Sequence, residues 1–392
     1  MTLMLHYGNA VSGHQRFDRP RLQDKLLRTM ENSGGIKMFG LRRIGKSTLR
    51  RYFIEQAEAA GKSIVFFDAQ GLHSIQDLIW ALFRNLPGDS NLTQRTLGFI
   101  AKDSPIRKVL EALVTGSKTG EQVVTAYWRE AYNGIRDALR ETDRPPILVI
   151  DEFSLLLQNV LARQPEDGRD QINQLLAAMR EWRDSGMKML LTGSIGVTAL
   201  ARKHGLDRDH LNDLLPFEIP ELTESEARDF VRQATQEPSQ GLWTDQHTEE
   251  LLRQSGVFYP SFLVKGLLEV SIKAPPPAEE FARIFSDAVR PVLHQDFYTQ
   301  FNKRFRFYGE IDKDSQRDLI VPVLKCVMES VNGTQLESLA LPDAYSRIDL
   351  AESLEMLVED GFVHFTEDVE GNRTWVPASR LVRLWWRRSR LA

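Results

Sequence analysis

The sequence IKMFGLRRIGKSTLRRYF, residues 36–53, holds two patterns back to back. A short apolar run stops at Gly40, and Gly45-Lys46-Ser47 then opens a stretch with helical spacing. Gly40 to Ser47 fits G-x-x-x-x-G-K-[ST] without a mismatch. The spacing has a mechanical reason. After the strand the chain must turn back, so that successive N–H groups of Arg42, Arg43 and Ile44 point inward at a β-phosphate. Gly45 has no side chain to block that approach. Lys46 reaches the β- and γ-phosphates, Ser47 offers a hydroxyl to Mg²⁺, and Thr48 is placed to touch the α-phosphate. The helix N-terminus adds its dipole.

Outward from this loop, strands and helices alternate. Residues 21–32 read as a helix and GIKMFG as the first strand. KSTLRRYFIEQAEAAG is a helix closed by Gly61, and SIVFFDA a second buried strand. Helical stretches fill residues 74–141. PPILVIDEF is the third strand, DQINQLLAAMREWRDSG an amphipathic helix, MKMLLTGS the fourth strand and LLPFEIPEL the fifth. Apolar runs alternating with helices predict a parallel sheet with crossover helices.

After Pro220 the pattern changes. Thr223 and Glu226 form a capping box, and helices continue to about Phe297, broken by KAPPPAEEF. The last unit reads as a helix over 315–330, a short helix over 334–339 and a third helix over 346–360. A hairpin around Glu370-Gly371-Asn372 and a closing helix, SRLVRLWWRRSR, follow. Three helices and a hairpin are the winged-helix pattern.

Bulk properties bound the answer. A chain of 392 residues has room for two or three domains. Formal net charge is −4, so overall charge points to neither nucleic acid nor membrane. The single cysteine, Cys326, excludes an intramolecular disulfide and a cysteine-rich metal site, and suits a reducing, cytoplasmic setting. The opening MTLMLHYGNAVSGHQRF lacks a basic n-region and a long apolar stretch, so no signal peptide is expected. No run of about 18 apolar residues occurs, so no membrane span is expected.

Two further elements join the phosphate loop. ILVIDEF sets two carboxylates at the end of a hydrophobic strand, the edge where ligands bind in parallel sheets. Asp151 is expected to hold Mg²⁺ through water, and Glu152 to orient or deprotonate an attacking water. Standing alone, the pair would read as a solvated turn. In LLTGS, Thr192 or Ser194 is a polar sensor for the γ-phosphate or the water; the alternative is a plain strand-end turn at Gly193.

With these elements in hand, the sequence resembles the archaeal-type branch of the STAND/AAA-like P-loop ATPases, relatives of the origin-recognition ATPases. FDRPRL, GLRRIGKSTL, LVIDEF, LLTGS, LPFEIPELTESEA and LVRLWWRR carry the resemblance, in the family's order along nearly the whole chain. The resemblance implies an ASCE/AAA-type α/β fold with a five-stranded parallel core, a helical lid and a C-terminal winged helix. The corresponding domains are 1–220, 221–300 and 301–392; residues at about 85–144 depart from the family's compact pattern and read as a helical insertion in the first. It also implies ATP and Mg²⁺ as cofactors and nucleotide-dependent switching or oligomerisation. An arginine would be supplied across a subunit contact. Arg202 and Arg208 are the candidates; otherwise they are solvated surface. Gly256 and Pro260 would place a lid helix near the nucleotide.

A winged helix raises the question of DNA. The third helix carries Asp349, Glu352, Glu355, Glu359 and Asp360 against Arg347, and the hairpin adds Glu367, Asp368 and Glu370. Phosphate neutralisation needs the opposite sign. The closing helix is basic, with Arg380, Arg383, Arg387, Arg388 and Arg390 around Trp385 and Trp386. It is either a nucleic-acid face or a docking helix. FNKRFRFYG interleaves basic and aromatic residues, as base-stacking segments do, or joins two domains with its aromatics in the core. The eight histidines show no ligand spacing, no nucleophile elbow is present, and Cys326 reads as packed core. The expected function is an ATPase coupling hydrolysis to conformational change or assembly. Its rivals are a nucleotide-gated scaffold with little hydrolysis and a DNA-binding AAA regulator.

Overall fold

Five strands of two to six residues build the sheet, each too short to stand as an independent helix. The computed structural model describes residues 3, 5–7, 16–86, 92–114, 128–239, 241–336 and 339–389. Parts of the opening stretch, of the 85–144 segment and of the 334–339 segment, and Arg390, lie outside the described residues. In chain order the elements begin with α1 (Pro20–Asn32), β1 (Gly35–Phe39), α2 (Lys46–Ala59), β2 (Ile64–Asp68), α3 (Ile75–Arg84) and α4 (Leu92–Phe99). They continue with α5 (Pro105–Val114), α6 (Trp128–Arg140), β3 (Ile147–Asp151), α7 (Phe153–Arg163), α8 (Gly168–Asp184), β4 (Lys188–Gly193), α9 (Val197–His204) and β5 (Leu215–Pro216). After these come α10 (Glu224–Thr235), α11 (Asp245–Ser255), α12 (Pro260–Glu269), α13 (Phe281–Ile284), α14 (Arg290–Ile311), α15 (Lys313–Ser315) and α16 (Val321–Glu329). The last are α17 (Arg347–Glu359), β6 (Val363–Glu367), β7 (Arg373–Pro377) and α18 (Arg380–Arg388).

The chain divides into two compact units. One comprises Asp24–Phe39 and Phe53–Phe217; the other comprises Met1–Gln23, Gly40–Tyr52 and Glu218–Ala392. The first contains the five-stranded parallel sheet, ordered β2-β3-β4-β1-β5. Its central strands are apolar on both faces because helices cover both: Val149 of β3 and Met189, Leu190 and Leu191 of β4 have no exposed surface. Register sets the functional edge. Met38 pairs with Thr192 and Phe39 with Gly193, while Asp68 pairs with Asp151. The carboxyl ends of β1, β3 and β4 therefore finish side by side. The fifth strand is only two residues long, held to β1 through Ile36 and Lys37.

In this unit α7 was not foreseen from the sequence. FSLLLQNVLAR is apolar on most of its circumference, so no helical stripe stands out. Its N-cap, Glu152, makes no side-chain capping bond, so the usual start signal is missing too.

The second unit carries helices α10 to α18 and the hairpin of β6 and β7. The capping box of Thr223 and Glu226 opens α10. Two helices pass through a single wide turn just before a proline: residues Phe285–Val289 precede Pro291, and Gln316–Ile320 precede Pro322. Proline donates no hydrogen bond and crowds the carbonyl four residues back, and a π-type turn absorbs both defects without ending the helix. As a result α14 runs straight through residue 300.

The short helix expected over 334–339 is corrected. Among its described residues Thr334 instead bridges antiparallel to Trp375, exchanging bonds of 2.9 and 2.8 Å. A β-branched residue following a left-handed Gly333 extends more easily than it coils. The predicted hairpin forms as β6 and β7, with Glu367 opposite Arg373. No helix among the described residues is long and apolar enough to cross a membrane.

Candidate nucleotide site

The phosphate loop leaves β1 at Gly40 and enters α2 at Lys46. Three loop residues take positive φ: Gly40 at 147°, Arg43 at 69° and Gly45 at 110°. A Cβ added at Gly45 would meet nothing within 4 Å, so open space lies on that side, as a phosphate cradle requires. The Leu49 N–H makes its i→i−4 bond to the Gly45 carbonyl at 3.0 Å. The N–H groups of Lys46, Ser47 and Thr48 therefore belong to the helix terminus, where donors point along the axis. Ser47 is exposed and Thr48 half-buried. Lys46 is 8% exposed, and its ammonium donates to the carbonyls of Gly40 (2.9 Å) and Leu41 (2.7 Å). The loop's own backbone thus holds it beside the cradle.

Residues far away in sequence grip the same loop. Arg43 donates to the hydroxyl of Tyr7 and the carboxylate of Asp296, and its guanidinium lies 4.5 Å from the centre of the Tyr7 ring. Tyr7 in turn donates to Asp296 at 2.9 Å. Burial and the bond to Asp296 push the Tyr7 hydroxyl up to about 12, so it stays a donor at neutral pH. The Arg42 N–H, one of those expected to face the phosphate, donates to Gln300 Oε1 at 2.7 Å. Nothing local in the sequence signalled Tyr7, Asp296 or Gln300.

The acidic residues belong to the sheet unit. Asp151 ends β3, and its Oδ1 accepts from the Thr192 hydroxyl and from the Glu152 N–H (3.1 Å). Glu152 sits in left-handed backbone, φ 52° and ψ 39°, a conformation costing about 1–3 kcal/mol for such a residue. That twist turns its side chain from the helix toward β4. There Oε2 accepts from both the N–H (3.1 Å) and the hydroxyl (2.9 Å) of Ser194. The sequence left Thr192 and Ser194 as alternatives for one polar sensor; in the fold each serves a different carboxylate. Gly193 between them is sterically required: a Cβ there would lie 2.7 Å from Ser154 Oγ and 3.0 Å from Phe39 Cδ1.

Carboxylate and hydroxyl oxygens are the hard donors that Mg²⁺ prefers. Among the described residues no group of three or more His, Cys, Asp or Glu side chains could hold a metal alone. An ion here would need phosphate oxygens and water to complete its shell, which is how Mg²⁺ accompanies nucleotides.

The other candidates fall elsewhere. Arg202 lies in the last turn of α9, and Arg208 opens a 3₁₀ turn. Pro260 opens α12, after Gly256 has closed α11 in left-handed backbone. In the closing helix Trp385 and Trp386 are 2% and 1% exposed. Trp385 packs on Phe301, Phe305 and Phe362, so neither indole offers a stacking face. The FNKRFRFYG aromatics Phe301 and Tyr308 are buried in the same cluster.

Residues 29–200 match the family described as the AAA domain. No curated protein matches. The fold is similar to the Walker-type ATPase paby2304 of Pyrococcus abyssi, with a TM-score of 0.53 and 18% identity, over 95% of this chain and 96% of that one. Weaker likenesses include the ADP form of the Aeropyrum pernix ORC2 protein (TM-score 0.47, 12% identity, 98% and 97% covered). Cdc6p from Pyrobaculum aerophilum is another (0.41, 12%, 96% and 94%).

Proposed function

We propose that this chain, in which residues 29–200 are an AAA-type P-loop domain, is an ATP-binding, Mg²⁺-dependent ATP-hydrolysing switch. It would couple nucleotide state to conformational change or oligomerisation. The carrying observation is the matched pair of supports at the strand ends, Thr192 on Asp151 and Ser194 on Glu152. They stand beside a strand that leads into a complete phosphate loop. Ordinary turns have no need to hold two carboxylates apart in this way.

Each role follows from the chemistry. Lys46 and the N–H groups at the start of α2 bind and orient the β- and γ-phosphates. Ser47 and Asp151 would hold Mg²⁺, which neutralises phosphate charge when bound. Glu152 accepts the proton of the attacking water at a carboxylate oxygen, with Ser194 fixing the carboxylate's direction. Thr192 fixes Asp151. Arg202 or Arg208 of a neighbouring copy would supply a positive charge to the transition state, and Pro260 would set the lid helix. Partners would be further copies of the chain or another protein. For DNA, the exposed Arg380, Arg387 and Arg388 of α18 are the candidate contacts, because the tryptophans are core.

One observation favours the slower, scaffold-like reading. Ser194 already fills Glu152 Oε2 with two hydrogen bonds, so that oxygen is not open to a water's proton. Steady-state hydrolysis at rising protein concentration, with Lys46→Ala and Glu152→Gln beside the wild type, tests the proposal. Turnover rising more than linearly and lost in both variants supports an assembly-coupled ATPase. Nucleotide binding without turnover at any concentration supports the scaffold.

A further inference from the structure

We propose that α14 is a connecting rod between the phosphate loop and the C-terminal helix–hairpin module, with Asp296 and Gln300 as positioning residues for the loop. The proposal deepens the nucleotide-switch reading and rests on it. Asp296 and Gln300 lie one turn apart on one face of the helix, and each holds a successive loop residue: Gln300 takes the Arg42 N–H, and Asp296 the Arg43 guanidinium. Further along the same helix, Asn302 accepts from Trp385 Nε1 at 2.8 Å. Arg304 donates to the Asp360 carbonyl at 2.7 Å, and Tyr308 donates to the Asp360 carboxylate at 2.7 Å. Asp360 is the C-cap of α17, directly before the hairpin, and Trp385 belongs to α18. From Asp296 to Tyr308 the helix spans about 18 Å.

The two ends differ in kind. At the loop end the Arg43 and Asp296 side chains are 34% and 37% exposed, so water and phosphate can exchange for their partners. At the far end Arg304, Tyr308 and Asp360 are all at most 5% exposed and packed among Phe301, Phe362 and Trp385. A helix gripped loosely at one end and tightly at the other transmits a displacement instead of absorbing it. The Arg42 N–H cannot serve Gln300 and a phosphate oxygen together. Phosphate taken up by that N–H releases Gln300, and the freed end of α14 moves its buried end with it. By linkage the state of the C-terminal module sets the affinity of the loop in return.

Hydrogen exchange on the full chain, with and without Mg²⁺ and a non-hydrolysable ATP analogue, tests this. Binding is followed separately with a fluorescent analogue. In the wild type, exchange in residues 363–377 and 380–388 should change by about 5-fold or more on binding, the lower range of ordinary coupling. The double variant Asp296→Asn, Gln300→Ala should bind the analogue at least as tightly, having lost a competitor. Its far-end response should fall below about 2-fold. Tyr308→Phe, which releases the buried end, should lose the response as well. A double variant that binds and responds like the wild type overturns the connecting rod and leaves the switch standing. A wild type that binds no nucleotide overturns both.

Discussion

Ser194 holds Glu152 from two directions, its N–H at 3.1 Å and its hydroxyl at 2.9 Å converging on one carboxylate oxygen. On the proposed roles, Ser194→Ala keeps the backbone donor and loses the hydroxyl. Turnover should fall about 3- to 10-fold with KM unchanged, the worth of one ordinary hydrogen bond. Glu152→Gln should fall by about 10²- to 10⁴-fold. Steady-state kinetics of the two variants decide it; a full-speed Glu152→Gln would remove Glu152 from the chemistry.

Gly193 is a packing position as much as a site neighbour. Gly193→Ala must displace Ser154 or the Phe39 ring, which closes the strand leading into the loop. We expect a loss of about 1–3 kcal/mol in chemical denaturation and weaker nucleotide binding. An unchanged midpoint would mean that the ring moves aside at little cost.

Asp213 carries an acid-sensitive share of stability. Burial would raise its carboxyl, but hydrogen bonds and charge from Arg183, whose side chain is 1% exposed, hold it below the usual carboxylate range. A depressed folded-state pKa contributes stability at neutral pH, and that share is lost as pH falls below the ordinary value of 3.8. Asp213→Asn should cost about 1–3 kcal/mol at pH 7. The gap to the wild type should close as pH falls through the native carboxyl's titration, measured by urea unfolding at several pH values.

His294, on α14, is stacked 5.1 Å from the Tyr298 ring. Burial, then the charges of Arg388 and Arg290, lower its pKa from 6.5 to about 4. The folded protein therefore binds this proton less readily than the unfolded chain. Its stability share is whole above pH 6.5 and lost as pH falls toward 4. An NMR titration should show the imidazole neutral at pH 5.5. A midpoint near 6.5 would contradict the burial.

The site was legible in unequal parts. The phosphate-loop pattern and the two strand-end carboxylates stand out in the sequence because the chemistry proposed for them demands fixed residue types at fixed spacing, and the flanking strands are plain apolar runs. The hairpin and most helices announced themselves through turn residues, caps and periodicity. Helix α7 did not, since apolar residues over most of its circumference blur the stripe. Thr334 was misread because a pairing with Trp375, far along the chain, outweighs local propensity.

By itself the sequence determined which residues the phosphate-loop and strand-end patterns single out: the glycines, Lys46, Ser47, Asp151 and Glu152 stand at spacings set by chain-local geometry. Only the tertiary structure decided which partners hold them. Thr192 and Ser194 were divided between two carboxylates by the register of β3 and β4. Arg42 and Arg43 were tied to Gln300 and Asp296, more than 250 positions away. Such pairings are fixed by how surfaces pack, and no local pattern of residues encodes a distance across the fold.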